Sequence, residues 1–233
     1  MALDAAAMKK LVAEEAVKRY VKDGMNVGLG TGSTAYFAIK KIGELVAGGY
    51  DLTCVATSVQ SEDLAKECGI KVVQLDEIDH LDVTIDGADE VDPKIQLIKG
   101  LGGALLREKI VAAATVKEII IADESKIVEN LGTKAPLPVE VLRFGHKHTK
   151  FALEQQGCKA ELRMKDGEVF VTDGGNYIYD CRFDGIPNPF FLESRIDVIP
   201  GVVENGLFLN TAFDALISRA DGSVESMKDK LSA

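Results

Sequence analysis

The sequence predicts an α/β chain, a doubly wound parallel-sheet (Rossmann-like) domain with an inserted ferredoxin-like α+β domain, and three observations predict it. Short β-branched apolar runs alternate with amphipathic helical segments from residue 5 to residue 122. A glycine-rich loop, Gly28-Leu29-Gly30-Thr31-Gly32-Ser33-Thr34-Ala35, joins the first of those runs to the helix after it. Beyond Pro136 and Pro138 the pattern changes to strand, helix, strand, hairpin, helix and strand, close to β-α-β-β-α-β.

The first helix is expected over residues 5–21, where Leu11, Val12, Ala16, Val17, Tyr20 and Val21 recur at helical spacing. Lys18, Arg19 and Lys22 suit the negative end of its dipole, and Asp23-Gly24 stops it. Strand 25–29, the glycine loop and a helix through Phe37, Ile39, Ile42 and Leu45 follow. Next come strand 53–56, helix 61–68 ended by Gly69, strands 70–75 and 81–85, helix 103–115 and strand 118–122, with right-handed crossovers. After the prolines the expected elements are strand 139–144, helix 148–156, strand 159–164, a hairpin of 167–172 with 177–182, helix 189–196 begun by Pro189, and strand 202–209. The tail should return to the first sheet. Residues 1–133 with 207–233 would then form one domain, and 134–206 the insertion.

A chain of 233 residues, 46% hydrophobic and 27% charged, builds a core without staples. A net charge of −10 provides no basic field for a nucleic-acid backbone, so an anionic ligand needs a local positive site. Cys54, Cys68, Cys158 and Cys181 lie far apart with no C-x-x-C pair, against a zinc knuckle or a disulfide scaffold and in favour of a reducing compartment. The charged first helix is no signal peptide and no apolar run reaches membrane-spanning length, so a soluble cytoplasmic protein is expected.

Asp86-Gly87-Ala88-Asp89-Glu90-Val91-Asp92 follows the apolar run 81–85, which sets Asp86 at a strand's carboxyl end, on the rim where open α/β sheets bind ligands. A solvated acidic turn is the plain alternative. Against it stands the segment that follows, Lys99-Gly100-Leu101-Gly102-Gly103-Ala104-Leu105-Leu106-Arg107-Glu108-Lys109-Ile110. In the first glycine loop, backbone N–H groups can approach an anion at a helix N-terminus, and Ser33 and Thr34 add hydroxyls. The dinucleotide fingerprint fails there, because Ser33 occupies the third glycine position and no acidic residue ends strand 53–56; nor does a Gly-Lys-Ser/Thr follow. A monophosphate or small sugar phosphate fits better than a nucleotide, with a purely structural turn as the competing reading. Loops 31–34, 86–92 and 99–103 are expected to share one crevice.

Taken in order, Gly-Leu-Gly-Thr-Gly-Ser-Thr-Ala, Asp-Gly-Ala-Asp-Glu and Lys-Gly-x-Gly-Gly-Ala-Leu-x-Arg-Glu-Lys-Ile resemble the type A ribose-5-phosphate isomerases. Leu137-Pro138-Val139-Glu140-Val141 and Ile199-Pro200-Gly201-Val202-Val203 extend the resemblance over nearly the whole chain; some members have Gly where Leu101 stands. The resemblance implies interconversion of ribose 5-phosphate and ribulose 5-phosphate in the non-oxidative pentose phosphate pathway, with no cofactor and no obligatory metal, in a homodimer or dimer of dimers. It implies Glu108 as the base, Lys99 with the N–H groups of the glycine loop (Gly100, Leu101, Gly102) as stabilisers of an enediolate, and Asp86 and Asp89, with Gly87 and Ala88 between them, as the holders of sugar hydroxyls. One positioned carboxylate can move the proton between neighbouring carbons in both steps.

For the phosphate, Thr31, Gly32, Ser33 and Thr34 would supply donors, with Lys126 and Lys10 as the cations. A lysine on an amphipathic first helix more often lies on a solvated face. His80, His146 and His148 show no ligand spacing tied to the motif loops; His146-x-His148 on a strand could join a metal site, but a polar helix start fits it better, so no metal is assigned. Two other functions compete: a sugar-phosphate sensor, which needs the donors but no base such as Glu108, and an amino-sugar deaminase, which would release ammonia.

Overall fold

In the computed structural model, which describes residues 2–231, one sheet runs in the order Val224–Ser226, Ala212–Ser218, Glu118–Asp123, Val83–Gly87, Asn26–Leu29, Thr53–Ala56. All its pairings are parallel except that of Val224–Ser226 with Ala212–Ser218. The chain builds outward in one direction from Asn26–Leu29 to Thr53–Ala56 and then in the other through Val83–Gly87, so the strand order reverses between Asn26–Leu29 and Val83–Gly87. Ligands bind beyond the carboxyl ends of strands at such a reversal.

Helices Ala5–Tyr20 and Ala35–Ala47 cover this sheet through Val12, Ala16, Val17, Ile39 and Ile42, which bury against Leu29, Ile85, Ile119, Ile121 and Leu216. Asp4 caps the first helix by accepting from the Ala7 N–H at 2.8 Å, satisfying one of the donors a helix start leaves open. Val59–Glu67, capped by Ser58, and Leu105–Ala113 are the next two helices.

Residues 70–75 do not form the expected strand. They touch Thr53–Ala56 at one parallel bridge, Cys54 with Val72. The Gln74 N–H is then taken by the Glu77 carboxylate at 2.7 Å, and the chain turns into the short 3-10 helix Leu75–Glu77. A side chain that captures a backbone donor ends a ladder.

A second sheet is antiparallel, in the order Val202–Asn205, Leu137–Val141, Tyr177–Arg182, Lys159–Leu162. With helices His146–Glu154 and Pro189–Ile196 between its strands it has the ferredoxin-like arrangement, fourth strand beside first, third beside first, second outermost. The expected hairpin of 167–172 with 177–182 is replaced. Glu168–Val169 instead pairs with Met164–Lys165. Asp166 and Gly167 have φ of 52° and 85°, the pair of left-handed residues that a two-residue hairpin turn requires. Thr172 to Asn176 closes its own loop through the Thr172 N–H to Asn176 carbonyl bond, leaving Tyr177–Arg182 to enter the sheet as an interior strand. The expected strand 202–209 breaks at Gly206, and Leu207–Phe208 joins a small third sheet with Leu97–Ile98 and Glu90–Val91.

The chain divides into two units. One contains the described residues up to Ala88, Arg107–Ile127 and those from Thr211 on; the other contains Asp89–Leu106 and Val128–Asn210. Residues 89–106, 128–133 and 207–210, which the sequence reading gave to the first domain, thus fold with the second. The reason is local pairing: Glu90, fully buried, accepts from the N–H groups of Gly132, Lys134 and Ala135, and Val128 donates to the Val91 carbonyl. Among the described residues no helix is long and apolar enough to cross a membrane.

Candidate active site

The first unit brings Thr31 and Asp86 together at the reversal of strand order. The Thr31 N–H donates to Asp86 Oδ1 at 3.0 Å and the Gly87 N–H to the same oxygen at 2.7 Å, so the carboxylate is held against two peptide groups. Asp86 is 1% exposed. The glycines of the preceding strand make this possible. A Cβ on Gly28 would stand 2.0 Å from Thr84 Oγ1, and one on Gly30 would stand 2.2 Å from Asp86 Oδ1. Gly87 and Ala88 are half-buried beyond it.

The Thr31 hydroxyl lies within 2.7 Å of Thr57 Oγ1, 2.8 Å of Ser58 Oγ and 3.2 Å of Ser61 Oγ. The N–H and the hydroxyl of Thr31 are therefore both engaged inside the protein, the N–H on Asp86, where the sequence reading made Thr31 a phosphate donor. The buried hydroxyls of Thr57, Ser58 and Ser61 escaped the sequence reading. Their Thr-Ser-x-x-Ser spacing after a strand is that of a helix cap, and Ser58 does cap Val59–Glu67.

Gly32 and Ser33 are exposed and Thr34 is half-buried at the start of helix Ala35–Ala47. Lys9, one turn into the first helix, donates to Ser33 Oγ at 2.9 Å. Lys9, Gly32, Ser33, Tyr36, Phe37 and Gln60 line an open groove of about 620 Å³. Lys10 is not there. It pairs with Glu14 at 3.8 Å, its side chain 61% exposed, on the solvated face. Lys9 was missed because two adjacent lysines look alike until the helix is oriented. Lys126 ends the 3-10 turn that follows strand Glu118–Asp123, at the same edge of the sheet as Gly87, whose strand pairs with it. Glu108 lies in the first turn of helix Leu105–Ala113 and is 4% exposed, despite Arg107 and Lys109 on either side.

In the second unit Asp89 accepts from the Leu101 N–H through Oδ2 at 2.9 Å. Lys99 is 2% exposed; its N–H donates to the Gly206 carbonyl at 2.9 Å and its Nζ lies 5.1 Å from the centre of the Phe208 ring. Burying an ammonium is costly, so a buried lysine marks a site with a demand for positive charge. Gly100 and Gly103 have φ of 104° and 85°, and a Cβ on either would strike Leu105 or Phe170. Leu101 lies outside the left-handed region and is 41% exposed, so its backbone and surroundings admit a side chain; Gly102 is exposed beside it. Glu90 and Asp92, from the same acidic stretch, hold loops instead, Asp92 accepting from the N–H groups of Lys94 and Gln96 at 2.8 Å.

His146 bonds Tyr179 Oη through Nδ1 at 2.8 Å. Among the described residues no group of three His, Cys, Asp or Glu is arranged to hold a metal ion.

The sequence model of the family described as ribose 5-phosphate isomerase A (phosphoriboisomerase A) matches residues 53–222. A ribose-5-phosphate isomerase A of Bacillus mycoides is 50% identical over 217 residues, covering 93% of this chain and 98% of that one. The structure resembles that of a ribose 5-phosphate isomerase from Plasmodium falciparum with a TM-score of 0.92 at 41% identity, over 95% of this chain and 97% of that one. It also resembles a D-ribose-5-phosphate isomerase in complex with phospho-erythronic acid, with a TM-score of 0.92 at 40% identity, over 96% and 99% of the two chains.

Proposed function

The chain belongs to the ribose 5-phosphate isomerase A family, a family of isomerases, and from that premise we propose that it interconverts D-ribose 5-phosphate and D-ribulose 5-phosphate through an enediolate, with Glu108 as general base. Glu108 takes the proton from C2 of the open-chain aldose while the C1 carbonyl oxygen gains the negative charge. The proton on the C2 hydroxyl then passes to O1, and the same carboxyl group returns its proton to C1 as the carbonyl forms at C2, so no redox partner is needed. Lys99 and the N–H groups of Gly100 and Gly102 stabilise the charge on oxygen, the Leu101 N–H being taken by Asp89. Asp86 and Asp89 hold the sugar hydroxyls and assist ring opening. Lys9, Ser33, Thr34 and the start of helix Ala35–Ala47 bind the phosphate, with Lys126 as a further cation.

The observation that carries this reading is the burial of Glu108 at 4% exposure. A carboxylate on a helix flanked by Arg107 and Lys109 is ordinarily solvated; burial removes the water that would compete for a carbon-bound proton. A sensor would need the donors but no such buried base. The ligand of one solved neighbour supports the enediolate: phospho-erythronic acid carries a planar carboxylate whose two oxygens resemble the two oxygens of that intermediate. The protein acts in the cytoplasm, as a homodimer or dimer of dimers, on a small sugar phosphate, without nucleic acid or membrane. The test is incubation of pure, metal-stripped protein with ribose 5-phosphate in chelator, following ribulose 5-phosphate. Formation of the ketose supports the reading. Absence of turnover, turnover that needs a divalent ion, or release of ammonia from an amino-sugar phosphate in its place counts against it.

A further inference from the structure

Arg163 lies more than sixty residues after the Lys99 loop, and its side chain is 11% exposed. Its Nε donates to Asp180 Oδ2 at 2.9 Å, and its Nη2 pairs with Asp180 Oδ1, so one edge of the guanidinium is held by a neighbouring strand. The remaining nitrogen, Nη1, donates to two successive loop carbonyls, Gly100 at 2.9 Å and Leu101 at 3.1 Å. The plane lies 5.8 Å from the ring centre of Phe170, the side chain that fills the space a Cβ on Gly103 would need. All these groups belong to the second unit.

A trans peptide sets its N–H opposite its C=O, and none of the peptides among the described residues is cis. With the Gly100 carbonyl turned toward Arg163, the Leu101 N–H must point the other way, and there it meets Asp89 Oδ2. With the Leu101 carbonyl also turned toward Arg163, the Gly102 N–H is likewise directed away from the guanidinium. The Gly100 carbonyl also accepts from the Gly103 N–H at 3.0 Å, which closes a turn over residues 100–103, and Arg163 adds a second hold on that plane and one on the next.

We propose that Arg163, locked by Asp180, is a positioning residue for the isomerase reaction: it fixes the peptide planes of residues 100–102 so that the Gly102 N–H points at the developing oxyanion. The proposal rests on the reading that this loop stabilises the enediolate. Lysine at 163 keeps the charge but cannot hold a carboxylate with two nitrogens and two carbonyls with a third, so the planes loosen.

The test compares kcat and KM for ribose 5-phosphate in the full-length parent, Arg163→Lys, Arg163→Ala and Lys99→Ala, with thermal unfolding of each. In Arg163→Lys, kcat is expected to fall about 10- to 100-fold with KM within about threefold, as for a misaimed transition-state contact. Added methylguanidinium should restore part of kcat to Arg163→Ala. An Arg163→Lys enzyme with parental kcat overturns the proposal. So does a loss that follows only the fraction unfolded, without rescue, which is what a merely structural ion pair would produce. If Lys99→Ala retains parental kcat or the parent has no turnover, the oxyanion reading fails first and the proposal falls with it; parental Arg163→Lys activity beside a crippled Lys99→Ala removes the proposal alone.

Discussion

Gly30 lies so close beneath Asp86 that a Cβ at position 30 would stand 2.2 Å from Asp86 Oδ1 and 2.6 Å from its Cα. The carboxylate can accept from the Thr31 and Gly87 N–H groups only because the strand presents no side chain there. Gly30→Ala should therefore displace Asp86 and lower kcat/KM on the order of 100-fold, since small misplacements of positioning groups cost that much. Steady-state kinetics with circular dichroism to verify folding checks this; a folded variant with parental kcat/KM would contradict it.

Glu108→Gln should bind sugar phosphate nearly as well as the parent and lose about 100- to 10,000-fold in turnover, the usual worth of a general base. Glutamine keeps the length and hydrogen-bonding reach of the side chain but cannot accept the proton. Exchange of solvent hydrogen into C2 of ribose 5-phosphate should vanish with it. Near-parental isomerisation by folded Glu108→Gln would exclude Glu108 as the base and leave Asp86 as the next candidate.

Lys9→Ala should raise KM for ribose 5-phosphate roughly 10- to 100-fold, from the loss of one charge-assisted contact of about 1.5–3 kcal/mol. Lys10→Ala should leave KM within about twofold, because an exposed i,i+4 pair such as Lys10 with Glu14 contributes at most about 1 kcal/mol, and to stability alone. Paired KM measurements decide, and the reverse ranking of the two variants would return the phosphate to Lys10.

Glu140 is 1% exposed and accepts from Thr172 Oγ1 at 2.8 Å and Asn176 Nδ2 at 2.9 Å. Burial pushes its carboxyl above the ordinary range, and the two hydrogen bonds only partly oppose this. The folded state therefore holds this proton to higher pH than the unfolded chain does, so stability falls as pH climbs from the ordinary carboxylate range through the raised value. Glu140→Gln keeps an acceptor oxygen and does not titrate. Its Tm relative to the parent should rise with pH across that window and level off above it; a difference independent of pH there would reject the assignment.

Light scattering should return about twice or four times the 25.1 kDa chain mass if the assembly is a homodimer or a dimer of dimers. A mass near 25.1 kDa at working concentration would refute the expected assembly.

Contiguous residues by themselves determined the alternating order of the first sheet, the glycine loop before helix Ala35–Ala47, the carboxylate at the end of strand Val83–Gly87 and helix Pro189–Ile196, since each depends on local periodicity, turn chemistry or a cap. Tertiary structure alone decided what depends on orientation or on distant partners. Lys9 and Lys10 differ by about 100° around one helix. The choice between them is made by Val12, Ala13, Ala16 and Val17, which turn that helix against the sheet. The strand expected over residues 70–75 was lost to a side chain that captured a backbone donor, and the strand over 202–209 to a close backbone approach at Gly206, where a Cβ would stand 2.4 Å from the Lys99 carbonyl oxygen. Arg163 reads in sequence as an ordinary charged residue between two strand segments; only the pairing of Tyr177–Arg182 with Lys159–Leu162 supplies Asp180 beside it, and only the folded loop offers it the carbonyls of Gly100 and Leu101.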